Sequence, residues 1–254
     1  MRQYKISIIM PNLNGEKYIA SSIDHFIAQE YSEKELIIVD GKSIDCSHNI
    51  IQSYSSRYQS IRWVKYMDRG PENAFNVGLG EAAGDIIGFS GSDDLLEPGI
   101  LQRITAYANQ KEFDAVYFNA YNFFPKENKK VLWKCPNVPF TRRNLLRYGS
   151  IVGLQDIFFK RKVYDMHTLD EQAKYASDYE FFLRISSEPY TYLHVPEIAT
   201  TNIMDNNISS DANRLQLKKT YEIFTQYARW YERPFWLERK IRGKLRTIAE
   251  NLQI

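Results

Sequence analysis

The first 120 residues alternate short apolar runs with segments of helical periodicity, and this alternation constrains the fold more than any other feature of the chain. Apolar, β-branched runs of strand length predict buried strands, and apolar residues three and four positions apart predict helices. The predicted strands are 6–10, 36–41, 61–64, 85–89 and 114–118, and the predicted helices are 17–29, 45–58, 73–83 and 98–109. A strand–helix unit recurring about every 25–35 residues is typical of an α/β fold, with a mostly parallel central sheet and helices on both faces.

Beyond residue 120 the alternation is less regular. Residues 125–134 are predicted as a loop, 156–159 as a strand and 177–186 as a helix. Residues 211–254 carry ten Lys and Arg against five Asp and Glu, a net charge of +5. We therefore predict a domain over 1–210 and a basic helical tail over 211–254.

Composition excludes several classes of protein. The whole chain carries 33 Lys and Arg against 31 Asp and Glu, so a net charge of +2 argues against a polybasic nucleic-acid binder. Two distant cysteines, Cys46 and Cys135, form neither a disulfide framework nor a zinc ribbon. The sequence contains no apolar run of about 18 residues, and its first apolar run is shorter than a signal-peptide core of about 7–15 residues. We expect a cytoplasmic protein, or one peripheral on the inner face of the plasma membrane.

Polar residues follow three predicted strands, and a fourth polar group follows the strand 61–64. The groups are Asn12, Asn14 and Glu16; Asp40, Lys42, Ser43 and Asp45; Ser92, Asp93 and Asp94; and residues 66–70. Because ligands of open α/β sheets bind beyond the carboxyl ends of the strands, the four groups predict a single pocket.

Each acidic residue of these groups allows two interpretations. Asp93 and Asp94 have diverging side chains that suit a divalent cation and a hydroxyl or lysine, or they cap a helix over 95–101. Asp40 ends a strand, where it can accept hydrogen bonds from a ribose or base, or hold a turn beside Gly41.

Residues 68–70 and Asp178 also allow two interpretations each. Asp68 and Arg69 can offer a carboxylate to a base and a guanidinium to a diphosphate, or form a solvated turn. Asp178 is a candidate general base at a helix start, or an acidic residue that interacts with the helix dipole. The glycines of 78–84 precede a strand and lack dinucleotide-binding spacing, and the four histidines show no ligand spacing, so these residues are interpreted as structural or surface.

In this order, the motifs resemble those of family 2 inverting glycosyltransferases with the GT-A nucleotide-sugar fold. The matching segments are Pro11 with Asn14, the Gln29-Glu30-Tyr31 triplet, residues 35–45, residues 68–78, residues 84–94 and residues 176–184. The resemblance covers about residues 5–210 and implies a nucleotide-binding half over 1–120 and an acceptor-binding half over 121–210.

The resemblance also implies a role for each matching residue. The nucleotide pocket would be lined by Pro11, Asn12, Asn14, Glu16, Asp40, Asp68, Arg69, Gly70 and Asn76. Asp40 and Asp68 would flank the base, and Arg69 would approach the diphosphate.

On the donor and acceptor side, Asp93 would bind a divalent cation, Mn²⁺ or Mg²⁺, that bridges the phosphates. Ser92 and Asp94 would neighbour the donor sugar, Gln155 would lie at the acceptor, and Asp178 would deprotonate the acceptor hydroxyl.

The implied activity is inverting transfer of a sugar from a nucleoside-diphosphate sugar, with UDP favoured, to a saccharide or lipid-linked acceptor in surface-polysaccharide assembly. Gly91 departs from the family pattern, which often has a further carboxylate there, and this departure bears on metal binding. Two alternatives remain open: a catalytically silent sugar-nucleotide-binding relative and a sugar nucleotidyltransferase. The second lacks support because residues 12–17 do not form the Gly-rich basic loop of that class.

The tail combines an apolar stripe with interleaved basic residues. The stripe is Leu237, Ile241, Leu245, Ile248 and Leu252. A basic amphipathic helix with aromatic residues upstream predicts contact with an anionic membrane surface, or packing on the catalytic domain or a homodimer partner.

Overall fold

The computed structural model describes residues 2–67, 69–205 and 213–251. Its strands are β1 Ile6–Pro11, β2 Lys34–Val39, β3 Ile61–Val64, β4 Ile86–Phe89, β5 Asp94–Leu96, β6 Ala115–Phe124, β7 Lys129–Trp133, β8 Ile157–Lys160 and β9 Tyr192–Ile203. Its α-helices are α1 Ile19–Ile27, α2 Ser47–Arg57, α3 Pro71–Glu81, α4 Ile100–Gln110, α5 Arg142–Tyr148, α6 Arg161–Met166, α7 Ser177–Ile185, α8 Asn213–Tyr227 and α9 Pro234–Asn251. Short 3₁₀ turns lie at Pro125–Glu127, Leu154–Asp156 and Trp230–Glu232.

The strands form one sheet in the order β3-β2-β1-β4-β8-β6-β9-β5, and β7 pairs with β6. The strands β1 to β4, β6 and β9 run in one direction, and β5, β7 and β8 run against them. Six of the nine described strands are thus mutually parallel, which confirms the predicted α/β class. The carboxyl ends of β1, β2 and β4 lie along one edge, where the predicted polar groups begin.

The strand β1 separates two layers of helices. Its Ile6 and Ile8 are fully buried in a cluster with Phe26 of α1 and with residues of α4. Its Ile9 faces α3, where a Cβ on Gly78 would lie 2.4 Å from the Ile9 Cγ2 atom. Burying each such isoleucine stabilises the fold by about 1.5–3 kcal/mol. The predicted arrangement of helices on both faces is therefore confirmed, and Gly78 lets α3 approach the sheet.

Three segments differ from the sequence-based expectation. Asp94–Leu96 is a strand and not the start of a helix, because it pairs antiparallel with β9. The helix α4 begins only at Ile100, after Gly99 in the left-handed conformation. Residues 125–134, expected to be a loop, contain β7, which pairs with β6. The partner of β5 is distant in sequence, and β7 pairs with the neighbouring β6 although its side chains are mostly exposed, so local apolar periodicity reveals neither strand.

The chain forms two compact units, which we call the sheet unit and the helical unit. The sheet unit comprises Met1–Cys135, Val152–Glu171 and Tyr190–Asn206. The helical unit comprises Pro136–Ile151, Gln172–Pro189 and Asn207–Ile254, and contains α5, α7, α8 and α9. The linear division at residues 120 and 210 stays a prediction.

The helical unit has its own apolar contacts and one strong ion pair. Phe140 packs edge-on against Phe182 of α7 at 5.5 Å between ring centroids. Arg142 forms a two-pronged ion pair with the buried Glu232, at 2.8 and 2.9 Å. Within the described ranges, no helix combines the length and the apolar character needed to cross a membrane.

Candidate functional site

The carboxylate of Asp40 anchors two loops at the ends of β1 and β2. Its Oδ2 accepts hydrogen bonds from Asn12 Nδ2 at 2.5 Å and from Ser43 Oγ at 2.6 Å. Its Oδ1 accepts from the backbone N–H groups of Lys42 and Ser43 and contacts His48 Nε2 at 3.1 Å. The Asp40 side chain has no exposed surface. This carboxylate holds the turn, as one of the two interpretations predicted, and its contact with a base stays a prediction.

An aromatic pair covers this carboxylate. His48, the second residue of α2, lies 5.1 Å from the ring of Trp63 on β3. The Trp63 Nε1–H donates to the backbone oxygen of Asp40 at 3.0 Å, and Lys65 Nζ lies 4.4 Å above the Trp63 ring. Sequence reasoning missed His48 because it was interpreted only for metal-ligand spacing. An aspartate ending a strand, followed by a histidine opening the next helix, is the signal available in the sequence.

The loop after β1 is locked to the loop after β2 by reciprocal hydrogen bonds. Asn14 donates its N–H to Ser43 Oγ at 2.8 Å, and its Oδ1 accepts from Ile44 N at 2.9 Å. Glu16 Oε2 accepts from Cys46 N at 2.8 Å. The structure therefore brings Asn12, Asn14 and Glu16 together, immediately beyond Pro11 at the end of β1.

Gly15 completes this loop by leaving space for Asn12. A Cβ on Gly15 would lie 2.0 Å from Asn12 Oδ1 and 2.8 Å from Ser92 Oγ. The Asn12 Oδ1 atom is buried and has no hydrogen-bond partner among the described residues. The loop thus lies against Ser92, which links the groups following β1 and β4.

The three residues that precede α3 were all predicted to contact the nucleotide. Asp68 lies outside the described residues. Arg69 is exposed, and its Nε donates to Tyr66 Oη and Asn73 Oδ1, both at 3.2 Å. Gly70 has a φ of 119°, a conformation that favours glycine. It precedes Pro71, the first residue of the helix. Arg69 is thus placed where an anion can reach its guanidinium.

Asn76, farther along α3, has both amide groups engaged. Its Nδ2 donates to the backbone oxygen of Leu169 at 2.9 Å, and its Oδ1 accepts from the Leu169 N–H at 3.0 Å. This geometry ties the segment around residue 169 to the helix, and the predicted role of Asn76 at the nucleotide stays a prediction.

Three carboxyl groups form what we call the acidic cluster: Asp93, Asp94 and Asp156. Burial raises the pKa of Asp93, which is half-buried. Burial, together with the charges of Asp93 and Asp156, raises the pKa of Asp94 well above its ordinary range. Asp94 Oδ2 accepts from Gly91 N at 2.7 Å. Because Asp94 belongs to β5, the alternative of a helix cap over 95–101 is wrong.

Asp156 is the buried member that sequence reasoning missed, since it appeared there only as the first residue of a strand. Burial raises its pKa to about 7. The Thr200 hydroxyl lies 2.5 Å from Asp156 Oδ1 and 2.7 Å from Asn202 Oδ1. Hydrogen bonds from Thr200 and Asn202 lower the pKa of Asp156, but the effect of burial outweighs them. Its partners are 44 and more residues away in sequence, and no local pattern announces them.

Gln155, the predicted acceptor residue, lies in the turn beside Asp156. A Cβ on Gly153 would lie 2.8 Å from Gln155 Oε1, so the side chain folds over that glycine. Asp178 lies in the first turn of α7, in the helical unit, where it is half-buried. Two residues on, Glu180 accepts hydrogen bonds from Arg184 and from Tyr227 Oη.

The donor chemistry around Asp93 fits a hard divalent cation that takes its remaining ligands from phosphates and water. The described residues contain no group of three or more His, Cys, Asp or Glu side chains arranged to hold a metal ion. Mg²⁺-type sites commonly use one or two carboxylates together with substrate phosphates. Asp93 supplies a half-exposed carboxylate of this kind.

Comparison with known proteins agrees with the fold and the motif order. Residues 7–166, more than half of the chain, match the model of glycosyl transferase family 2. The uncharacterized glycosyltransferase EpsJ of Bacillus subtilis is 29% identical over 189 residues, which cover 70% of this chain. The match spans about half, 55%, of the length of EpsJ.

Two solved structures share the fold at low sequence identity. TarS of S. aureus, residues 1–349 in complex with UDP-GlcNAc, gives a TM-score of 0.68 at 17% identity, over 92% of this chain and 79% of that one. The mannosyltransferase PcManGT of Pyrobaculum calidifontis, in complex with GDP-Man and Mn²⁺, gives a TM-score of 0.67 at 17% identity, over 90% of this chain and 66% of that one. These likenesses identify the GT-A fold. With the family match over residues 7–166, they establish that the chain belongs to glycosyl transferase family 2.

Proposed function

We propose that this protein is an inverting glycosyltransferase that moves a sugar from a nucleoside-diphosphate sugar to a hydroxyl group. One observation carries the proposal: in a family 2 chain, the loop after β1 contacts both the loop after β2 and, through Gly15 and Ser92, the segment after β4 that carries Asp93. This edge lies beyond the carboxyl ends of parallel strands, where α/β proteins bind nucleotides.

The nucleotide is proposed to lie against the loops after β1, β2 and β3. The residues assigned to it are Pro11, Asn12, Asn14, Glu16, Asp40, Asp68, Arg69, Gly70 and Asn76. A UDP-sugar is the favoured donor, and support comes from TarS, which was crystallised with UDP-GlcNAc. The PcManGT structure is a complex with GDP-Man, so a guanine nucleotide is the competing donor class.

Asp93 is proposed to hold a divalent cation, Mn²⁺ or Mg²⁺, against the donor phosphates. Such a cation, when bound, neutralises charge that develops on the departing diphosphate. The exposed guanidinium of Arg69 contributes to the same end. Ser92 and Asp94 neighbour the donor sugar in this proposal, and burial together with the charges of Asp93 and Asp156 raises the pKa of Asp94.

Asp178 is proposed as the general base that removes the proton of the acceptor hydroxyl, with Gln155 on the acceptor side. Inversion needs one in-line attack on the anomeric carbon and therefore one base. Asp178 is fixed near the start of a helix, so its backbone position is well defined. The acceptor is proposed to be a saccharide or a lipid-linked saccharide of a surface polysaccharide.

A thermal-shift screen with UDP-, GDP- and dTDP-sugars, each with and without Mn²⁺, tests the donor. A ligand that binds only the native state raises the melting temperature. Asp178→Asn should abolish turnover and leave the donor shift intact, whereas Asp93→Ala should remove the Mn²⁺-dependent part of the shift. No shift with any sugar nucleotide, by a folded chain, would argue against the proposed function.

A catalytically silent nucleotide-sugar-binding protein is the second candidate, and Gly91 favours it. Many relatives are expected to carry a carboxylate there. Here a Cβ on Gly91 would lie 2.7 Å from Asp93 Oδ1 and 2.9 Å from Asp94 Oδ2. Donor binding without transfer to a panel of saccharide and lipid-linked acceptors would support this second candidate.

The helical unit is proposed to contact an anionic membrane surface, on the cytoplasmic side. Between α8 and α9 lies an apolar groove of about 340 Å³, lined by Tyr221, Phe224, Thr225, Arg233, Trp236 and Leu237. Trp230 is 80% exposed and Leu237 62% exposed, and Lys240 lies 5.9 Å from the Trp236 ring. Exposed aromatic and aliphatic side chains beside cations suit the interface of an anionic bilayer.

Cosedimentation with phosphatidylglycerol or phosphatidylcholine vesicles tests this contact. The full chain should bind the anionic vesicles selectively, and Leu237→Glu should weaken binding several-fold. Leu132→Glu, the same substitution at another exposed leucine of the sheet unit, is the matched control. Equal binding by Leu237→Glu and the wild type would contradict the membrane proposal. A concentration-dependent dimer that Leu237→Glu dissociates would assign the groove to a homodimer instead.

A further inference from the structure

The hydrogen-bonding capacity of the Asp40 carboxylate is already used within the protein. Two ionised oxygens offer about four lone-pair sites. Five donors from Asn12, Lys42, Ser43 and His48 converge on them. Because the side chain has no exposed surface, a nucleotide meets Asp40 only through the groups that cover it.

His48 contacts the Asp40 carboxylate through its side chain and also reaches solvent. Its side chain is 36% exposed, and its Nε2 lies 3.1 Å from Asp40 Oδ1. A carboxylate that receives four other donors can only accept, so Nε2 carries the proton in this contact. In the neutral ring Nδ1 is then an acceptor. Within the described chain, no hydrogen bond to Nδ1 is present.

Trp63 lies beside this acceptor, packed against the apolar core and beneath Lys65. Its ring is tilted by 46° to that of His48, and its Nε1 is fixed on the Asp40 backbone oxygen. Asp40 therefore orients both rings, one through its side chain and one through its main chain. Aromatic side chains stack on nucleobases of any type, whereas a fixed acceptor discriminates among them.

We propose that His48, oriented by Asp40, reads the nucleobase of the donor through Nδ1. A neutral imidazole acceptor matches a base that carries a ring N–H beside a carbonyl, which uracil, thymine and guanine all have. Cytosine has an unprotonated ring nitrogen at the corresponding position, so two hydrogen-bond acceptors would face each other and no hydrogen bond would form. This inference rests on the proposed function and specifies how its nucleotide site selects the base.

Calorimetric titration of the full chain at pH 8 with Mn²⁺ and UDP, CDP or N3-methyl-UDP tests the proposal. The wild type should bind UDP about tenfold more tightly than the other two, the loss expected for one hydrogen bond. His48→Phe keeps an aromatic ring beside Trp63 and should reduce the preference to about twofold or less. His48→Asn restores an acceptor near the Nδ1 position and should recover part of the preference.

His25→Phe, on α1 of the same unit, is the matched control and should retain the wild-type preference. If GDP is the tighter ligand, GDP and N1-methyl-GDP replace the uridine pair with the same expectation. A tightest affinity for CDP would overturn the proposal, as would an unchanged preference in folded His48→Phe and His48→Asn. Failure of the wild type to bind any of these nucleotides would instead overturn the proposed function.

Discussion

Replacing Asp156 with asparagine should stabilise the protein at pH 8 and leave its stability nearly unchanged at pH 4. The carboxyl is 1% exposed, and burial raises its pKa to about 7 from an ordinary 3.8. Asparagine has nearly the same shape and can accept the hydrogen bond of the Thr200 hydroxyl. It removes the ionisable group and keeps most of the packing.

The expected magnitude follows from proton linkage. Between pH 4 and pH 7 the unfolded chain has released the Asp156 proton and the native chain retains it. The native state then binds more protons, so the free energy of unfolding falls as pH rises, by about 1.4 kcal/mol per unit. The stability that the neutral carboxyl provides is complete below pH 4 and lost above pH 7. A shift of about three units gives a total of about 4 kcal/mol.

Urea unfolding of both proteins at pH 4, 5, 6, 7 and 8, followed by tryptophan fluorescence, measures this difference. Subtracting the free energy of unfolding of the wild type from that of Asp156→Asn isolates the contribution of this carboxyl group, because the other groups titrate in both proteins. The difference should grow steadily to pH 7 and then level off. Asp165→Asn makes the same carboxyl-to-amide change at an exposed position and is the matched control. A pH-independent difference for Asp156→Asn would refute a neutral, buried Asp156.

Three further substitutions test other contacts. Burial alone would raise the pKa of Glu232, but hydrogen bonds from Arg142 and a backbone N–H lower it. Glu232→Gln should therefore reduce the free energy of unfolding by about 3 kcal/mol at pH 7 and by less below pH 4. Equal losses at both pH values in urea unfolding would contradict this. Gly15→Ala should weaken UDP binding in calorimetry, because a Cβ would displace the Asn12 amide, and wild-type affinity would show that the loop adapts. Gly91→Ala should reduce the Mn²⁺-dependent thermal shift by crowding two carboxylates of the acidic cluster, and an unchanged shift would contradict that crowding.

Local patterns predicted much of the sheet unit correctly. The apolar runs that predicted strands 6–10 and 61–64 correspond to β1 and β3, and the predicted helix 73–83 corresponds to α3. These elements are encoded by residues close together in sequence. The order of the polar groups after the strands also indicated one edge of the sheet and a glycosyltransferase family.

Two strand pairings, one between distant segments and one in a hairpin, were beyond the reach of such patterns. The strand β5 is three residues long and exists because β9, about a hundred residues later, pairs with it. The strand β7 is largely exposed and lacks the apolar signature of a buried strand. Neither pairing leaves a periodicity in the sequence of its own segment.

The candidate site divides in the same way. The sequence by itself determined which residue types stand beyond β1, β2 and β4, because backbone direction and apolar periodicity are local properties. Only the tertiary structure decided what those residues contact. It buried Asp40 beneath His48 and Trp63, and it placed Asp156 beside Thr200. Burial and hydrogen-bond partners depend on residues brought together by the fold, and these decide whether a carboxyl group is charged, exposed or already occupied.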